Sequence, residues 1–349
     1  MSTLLKKFTL PLLQWHDNHG RKHLPWKHPR DAYRIWLSEI MLQQTQVKTV
    51  IPYFLRFIDR FPNVFALAQA SEDEVLSLWS GLGYYSRGRN LHKTAIMIVK
   101  QHEGQFPDDI QTLAQLPGIG PSTAAAIASQ AFEKPTAILD GNVKRVLSRY
   151  FLIQGYSSTT TKTLWQLAQQ CMSYDRPADY TQAIMDLGAI CCRSKKPHCI
   201  ECPLQMTCLA KINNVTTDYP TKKPKTKLPQ KHQQFLLMHT PKGHIYLEKR
   251  PSKGIWGGLW CPPNIATDID PTHHIQNTYP LNVIAIQPLM DIKHTFTHFQ
   301  LYIHALSVKT EYRYPSPLQF KGDWFSPKET IKLGLAKPIS GMIERFLSI

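Results

Sequence analysis

No stretch of this 349-residue sequence approaches the ~18 consecutive apolar residues that a membrane-spanning helix needs. The opening residues, Met1 to Leu13, set Lys6 and Lys7 among leucines and lack a small-residue cleavage site. They run directly into Trp15, His16, Asp17 and Asn18, and so read as the first turns of an amphipathic helix rather than a secretory signal. Internal repeats are absent. Acidic side chains are scarce: 25 Asp and Glu stand against 41 Lys and Arg, a formal net charge of +16. The missing apolar runs argue against a membrane protein and predict a cytoplasmic one, in a compartment where disulfides are rare. The basic excess favours a polyanionic partner, since each cation placed on a phosphate releases counterions. A merely basic soluble protein carries the same charge.

Strand-like alternation is nearly absent from Phe8 to Leu209. Apolar residues there recur three or four apart, as in Trp36, Leu37, Ile40 and Met41, in Val75, Leu76, Leu78 and Trp79, and in Leu164, Leu167 and Ala168. Pro and Gly punctuate the helical stretches at Pro62, Gly81, Gly83, Pro117 and Gly118. No acid interrupts Lys222, Lys223, Lys225, Lys227 and Lys231, which mix with Pro220, Pro224 and Pro229 and read as an extended charged linker. Beyond it Phe235 to Met238, His244 to Leu247 and Phe299 to Ile303 read as strands, and Ile339 to Leu347 as a helix. The expectation is a two-domain chain: an all-α domain over 1–218, a linker over 219–231 and a smaller α/β domain over 232–349.

Seven cysteines in such a chain call for a reason other than disulfides. Cys171, Cys191 and Cys261 read as buried thiols. Cys192, Cys199, Cys202 and Cys208 cluster within seventeen residues (192–208) and predict a metal centre. Four thiolates suit a tetrahedral zinc or a [4Fe–4S] cluster, and spacing does not separate the two. The loop between the first ligands carries Arg193, Lys195, Lys196 and His198, a set fit to grip phosphate or simply to face water.

Two carboxylates stand out. Glu39 lies among Trp36, Leu37, Ile40 and Met41; a carboxyl against such residues has its pKa raised by desolvation, as a general acid requires, unless it sits on a solvated stripe of the helix. Asp140 precedes Gly141 and follows the turn Pro117, Gly118, Ile119, Gly120 by twenty residues. The turn can present amides to a phosphate oxygen, while an Asp before Gly is also a common helix cap.

The cysteine spacing after Met185 to Ala189, and the turn followed by Asp140, resemble the helix-hairpin-helix DNA glycosylases of the endonuclease III-like superfamily. Three segments, Trp36 to Val47, Gly81 to His92 and Ile138 to Val146, narrow the resemblance to the MutY family of A/G-specific adenine DNA glycosylases. The resemblance implies a [4Fe–4S] cluster on Cys192, Cys199, Cys202 and Cys208. The partner it implies is double-stranded DNA carrying adenine opposite 8-oxoguanine or guanine, bound by a monomer. A base inside the stack is unreachable, so the adenine is flipped out. Glu39 then protonates it, and Asp140 stabilises the oxocarbenium-like sugar, by charge or by a transient covalent bond. Gln44 and Tyr84 resemble the wedges that fill the emptied stack; otherwise they are a surface Gln and a core Tyr. Gly118, Gly120 and Ser122, in and just after the hairpin, and Lys144, four residues after Asp140, are expected to bind DNA. Asp186 resembles an acid that orients the flipped base, the alternative being a buried helix cap, and Lys22 and Trp26 are expected in the same pocket. Where relatives with strand-cleaving activity carry a Lys, this chain has Ser122, which cannot form a Schiff base; a monofunctional glycosylase is expected.

Residues 232–349 resemble a Nudix-like domain, matched most closely over Arg250 to Trp260. No Glu-bearing helix follows to hold Mg²⁺ on a pyrophosphate, only Asp268 and Asp270, so recognition rather than hydrolysis is expected. Its expected reading element is Phe296, Thr297 and His298, near 8-oxoguanine, with Thr in place of the family's Ser; a plain hairpin turn has the same residues. Three rivals remain: a bifunctional pyrimidine-lesion glycosylase, a non-catalytic iron–sulfur DNA-binding protein and a nucleotide-pyrophosphate hydrolase. Ser122 and Glu39 oppose the first, the carboxylate pair the second, and the missing metal-binding acids the third.

Overall fold

The computed structural model describes residues 5–221 and 227–348. Met1 to Leu4 of the expected first helix, and Lys222, Lys223, Pro224 and Lys225 of the expected linker, lie outside them. The chain divides into two compact units, Met1–Gln69 with Asn90–Lys225, and Ala70–Arg89 with Thr226–Ile349. No helix among the described residues is long and apolar enough to cross a membrane.

The first unit is helical, as the spacing predicts. A π-helical turn at Leu5–Thr9 leads into α1 (Leu10–His19), followed by α2 (Ala32–Leu42), α3 (Val47–Arg60) and α4 (Val64–Gln69). After α5 (Glu72–Trp79), which belongs to the second unit, come α6 (Tyr85–His102), α7 (Ile110–Gln115), α8 (Pro121–Phe132) and α9 (Gly141–Tyr150). Then follow α10 (Ser158–Cys171), α11 (Pro177–Asp186), a π-helical turn at Leu187–Cys191 and α12 (Leu209–Ile212).

Three features set the frame of the site. Asp31 caps α2 by accepting from the Arg34 amide at 2.9 Å, and α2 buries Trp36, Leu37, Ile40 and Met41. Each such side chain contributes about 1.5–3 kcal/mol when withdrawn from water, which holds the helix in one register. Second, α8 begins with Pro121 in its first turn and buries Ala124 through Ala128. Small side chains at a helix contact shorten the interaxial distance, and α8 packs against both α2 and α11. Third, Asp140 caps α9, which packs on α11 and on the π-helical turn that follows it. The backbone at Gly188 lies so close to Asn142 that an added Cβ would come within 2.6 Å of the Asn142 Cβ.

In the second unit, β1 (Gln230–His239) is central to a sheet ordered β3-β2-β1-β6-β5, with β2 (Ile245–Lys249), β3 (Trp260–Cys261), β5 (Leu281–Thr295) and β6 (Gln300–Tyr312). Strand β4 (Asn264–Ile265) pairs with β1 and β7 (Asp323–Phe325) with β2. β1 runs parallel to β6, whereas β5 and β6 form a long antiparallel hairpin. Helices α13 (Pro271–Thr278), α14 (Pro327–Thr330) and α15 (Lys337–Leu347) complete the unit. Leu236, Met238, Tyr246, Ile275, Leu281 and Val308 are part of a core on one face.

Two boundaries differ from expectation. Gln230 and Lys231, expected at the end of the linker, already pair with Gln300 and Leu301. Residues 70–89, expected in the helical domain, group with the C-terminal residues. There Ser80 Oγ donates to the Leu335 carbonyl at 2.7 Å, Lys249 Nζ pairs with Asp73 at 2.6 Å, and the Arg89 guanidinium donates to the carbonyls of Ser252 and Gly257.

Candidate active site

The helical unit contains a cavity of about 600 Å³, within the usual range of ligand pockets. Glu39 from α2 and Asp140 at the start of α9 both line it, with Trp26, Gln44, Ser122, Asn142 and Asp186. The structure therefore gathers residues from α2, α8, α9 and α11 that the sequence scatters over nearly 150 positions.

Glu39 is half-buried on an otherwise apolar stretch of α2, and its Oε1 accepts from Gln130 Nε2 at 2.9 Å. Burial pushes its pKa up to about 7; the Gln130 hydrogen bond pulls it down and the nearby Asp140 pushes it up. Asp140 accepts from the Val143 amide at 2.7 Å and from Asn142 Nδ2 at 3.2 Å. Burial raises its pKa too, but those donors and Arg145 oppose the rise. Asp140 caps α9 and also lines the cavity. A pair of this kind, one acid poised near neutrality and one carboxylate held by amide donors, divides naturally into proton donor and anion.

Asp186, the last residue of α11, is fully buried. Arg21 grips it three times, from its amide at 2.8 Å and from Nε and Nη2 at 2.9 and 2.7 Å. His16 and Lys27 stand 3.7 and 3.9 Å away. Asp186 lines the cavity, as expected of an acid in the pocket, and its carboxylate is engaged by Arg21, which lines the cavity too. Lys22 departs from the expectation that placed it in the same pocket. It is exposed, its ammonium donates to the Asp17 carbonyl at 2.7 Å, and it lines a neighbouring cavity together with Trp26 rather than the one holding Glu39.

Gly118, with φ +79°, makes the tight turn before α8, and a Cβ there would meet Asn90 at 3.0 Å. The Gln43 amide ties the end of α2 to this turn, donating to the Gly118 carbonyl at 3.2 Å. Gly120 caps α8. Ser122 Oγ accepts from the Leu139 amide at 3.1 Å, fixing the chain just before Asp140. Lys144 is half-buried on α9 outside the set that lines the cavity. Gln44 and Tyr84, the expected wedges, are both exposed and both left-handed, at φ +57° and +49°. A residue other than glycine costs about 1–3 kcal/mol there, and such strain concentrates at functional positions. Tyr84 belongs to the second unit, with the Arg87 guanidinium 5.2 Å from its ring centre.

Cys192, Cys199, Cys202 and Cys208 line one small cavity with Cys191 and Arg149, and none forms a disulfide. Among the described residues no group of three or more is within metal-ligating geometry. The donor set nonetheless fits a thiolate-bound group. The buried Arg149 donates to Cys192 Sγ at 3.3 Å, a cation placed to stabilise negative sulfur. Arg193, Lys195, Lys196 and His198 of the connecting loop are all exposed.

In the second unit Phe296, Thr297 and His298 join β5 to β6. The Phe296 amide donates to the Phe299 carbonyl at 2.9 Å, and the two rings stack at 4.7 Å. Thr297 and His298 are exposed at this tip. Helix α13 carries no Asp or Glu, so the helix that lies between β4 and β5 offers no carboxylate for Mg²⁺.

The sequence matches the HhH-GPD superfamily of base excision DNA repair proteins over residues 37–170 and the NUDIX domain over residues 234–345. It is 38% identical over 345 residues to the adenine DNA glycosylase of Buchnera aphidicola subsp. Baizongia pistaciae, covering 99% of this chain and 97% of that one. Against the rat adenine DNA glycosylase identity is 34%, over 90% of this chain and 73% of that one. Of solved structures, a thermostable thymine-DNA glycosylase superposes with a TM-score of 0.54 at 27% identity, over 60% of this chain and 97% of its own. A non-covalent endonuclease III–DNA complex shares the fold, with a TM-score of 0.52 at 19% identity over 61% of this chain and 99% of that one. Fold and cavity thus define a helix-hairpin-helix base excision DNA glycosylase with a Nudix-like second domain. Within that class, the chain belongs to the adenine DNA glycosylase family.

Proposed function

We propose that this enzyme excises adenine paired with 8-oxoguanine or guanine in duplex DNA. The observation that carries the reading is Glu39, with a pKa of about 7, lining one cavity with Asp140. The adenine enters that cavity after flipping. Glu39 delivers a proton to a ring nitrogen, so the base leaves neutral, and the electron pair of the breaking glycosidic bond departs with it. Asp140, ionised, faces the developing positive charge on the sugar. Water completes the hydrolysis. Gln44 and Tyr84 support the opened stack, the Gly118–Gly120 turn offers amides to a phosphate, and the loop cations contact the backbone.

The test is a single-turnover assay on a duplex with one adenine opposite 8-oxoguanine, read with and without alkali. The expected product is an abasic strand that breaks only after alkali, because Ser122 offers a hydroxyl where an amine is needed for strand cleavage. Breakage without alkali would favour the bifunctional rival, and no product at all the non-catalytic one.

Cys192, Cys199, Cys202 and Cys208 would hold a [4Fe–4S] cluster, which supplies a covalent staple for the loop carrying Arg193, Lys195 and Lys196. Holoprotein should show broad absorbance near ~400 nm with iron and sulfide by assay. Colourless protein with stoichiometric zinc would reverse this assignment.

The Phe296–His298 tip would read the base opposite adenine. Replacing both Phe296 and His298 by Ala should cut the rate preference for 8-oxoguanine over guanine roughly tenfold to a hundredfold, as expected for losing one or two base contacts. An unchanged ratio would remove the tip from recognition. Excising residues 232–349 instead would strip the partners of Ser80, Asp73 and Arg89, so point variants are the cleaner experiment.

A further inference from the structure

Two side chains to which the proposed reaction assigns no role form a hydrogen-bonded chain onto Glu39, and Gln182 also lines the cavity. Gln130 on α8 and Gln182 on α11 are both buried, at 6% and 8% exposure. Gln130 Nε2 donates to Glu39 Oε1 at 2.9 Å, and Gln182 Nε2 donates to Gln130 Oε1 at 2.6 Å. We infer that Gln130, held by Gln182, is a positioning residue that selects which oxygen of Glu39 carries the catalytic proton and aims it at the base. The inference rests on Glu39 being the general acid.

An amide side chain offers donors at one end and an acceptor at the other. With its oxygen engaged by Gln182, Gln130 turns its N–H groups toward Glu39. A carboxylic acid accepts best at its carbonyl oxygen, so the N–H on Oε1 makes Oε1 the carbonyl and leaves Oε2 as the hydroxyl. If Gln130 were reversed, its oxygen would face Glu39 and its donors would meet those of Gln182. A protonated Glu39 would then spend its hydrogen on the protein instead of the substrate. The pair therefore fixes direction, which a general acid needs as much as a suitable pKa. Alanines at 124–126 and 128 on α8 allow the approach of α2 and α11 that both contacts require.

Gln130 also lowers the pKa of Glu39 against the rise caused by burial. The other charged groups lining the cavity are Arg21, Lys48, Asp140 and Asp186; of these Asp140 acts on Glu39, and it raises the pKa. Losing the Gln130 donor therefore moves the titration upward and loosens the aim at once. A defect of packing alone would lower the rate at every pH without moving its midpoint.

The experiment is the pH profile of single-turnover excision for the parent, Gln130→Met and Gln182→Met, on the adenine:8-oxoguanine duplex. Met keeps the length of Gln and removes its polar atoms. For Gln130→Met the alkaline limb should move up by about one pH unit, with a plateau roughly tenfold lower. Gln182→Met should move the limb the same way by less, which keeps the inference testable if the first variant does not fold. A limb that stays in place in a folded variant would overturn the inference. An inactive parent, or Glu39→Gln with parental activity, would instead overturn the assignment of Glu39 as the acid, so the two failures are distinguishable.

Discussion

Glu39→Gln should bind the mispaired duplex as tightly as the parent and lose excision by roughly 10²–10⁴-fold, the usual contribution of a positioned proton donor. The amide keeps the shape of the side chain and can still accept from Gln130, so geometry is retained while the transferable proton is gone. The parent itself should show a matching pH dependence. Glu39 must be protonated, and its pKa is about 7, so the rate should be level on the acid side of 7 and fall about tenfold per pH unit above it. Asp140 must be ionised, and burial lifts its pKa, so the acid limb should lie above the ordinary range of an aspartate. A rate that is flat between pH 6 and 9, with chemistry limiting, would remove Glu39 from the mechanism.

The same substitution should stabilise the fold. The pKa of Glu39 rises from an ordinary 4.5 to about 7 on folding. A group raised in this way gives stability that is intact below its unfolded pKa and lost as pH climbs through the folded one. Across that window the loss amounts to about 3 kcal/mol. Gln has no such titration, so Glu39→Gln should be more stable than the parent at pH 8 and nearly equal to it at pH 4.5. Chemical denaturation at the two pH values checks this, and equal stabilities at pH 8 would show that Glu39 bears no desolvation cost. A variant that is inactive and more stable is what a strained catalytic group leaves behind when it is neutralised.

Local patterning accounts for what was readable without coordinates. Helical spacing marks α2 and α15, and apolar neighbours mark Glu39 as anomalous. The Pro117 to Gly120 turn and the cap at Asp140 are short-range features, and each is present. What was missed depends on partners distant in sequence. Gln130 looks like one more polar residue near the end of α8 until α2 and α11 close on it. The grouping of residues 70–89 with the C-terminal strands rests on carbonyl acceptors at Leu335, Ser252 and Gly257, which carry no side-chain signature. β5 escaped because Pro288 and register shifts at Val283/Ala285 and Pro288/Met290 break its alternation. Tyr84 shows both limits at once: the surrounding motif marks it, but its left-handed backbone appears only in the fold.

Arg21→Ala should cost about 3–5 kcal/mol of stability, the penalty for leaving one member of a buried ion pair without its partner. Asp186 is 1% exposed at its side chain and Arg21 20%, so water cannot replace the guanidinium at the carboxylate. The remaining cations compensate only in part. Lys27 and His16 stand nearly 4 Å away, and burial lowers the pKa of both. His16 has no hydrogen-bond partner on either ring nitrogen. Acid should therefore return some of the lost stability to Arg21→Ala, as His16 takes up a proton opposite Asp186, and the return should fade as pH rises through the His16 pKa. Asp186→Asn in the Arg21→Ala background removes the stranded charge and should restore most of the loss, giving a coupling in a double-mutant cycle far above that of an exposed pair. The measurement is denaturant unfolding of the four proteins at pH 7. Additive losses, or a single-variant cost under about 1 kcal/mol, would mean that Arg21 does not neutralise a desolvated charge, and the cavity wall would then owe its shape to packing alone.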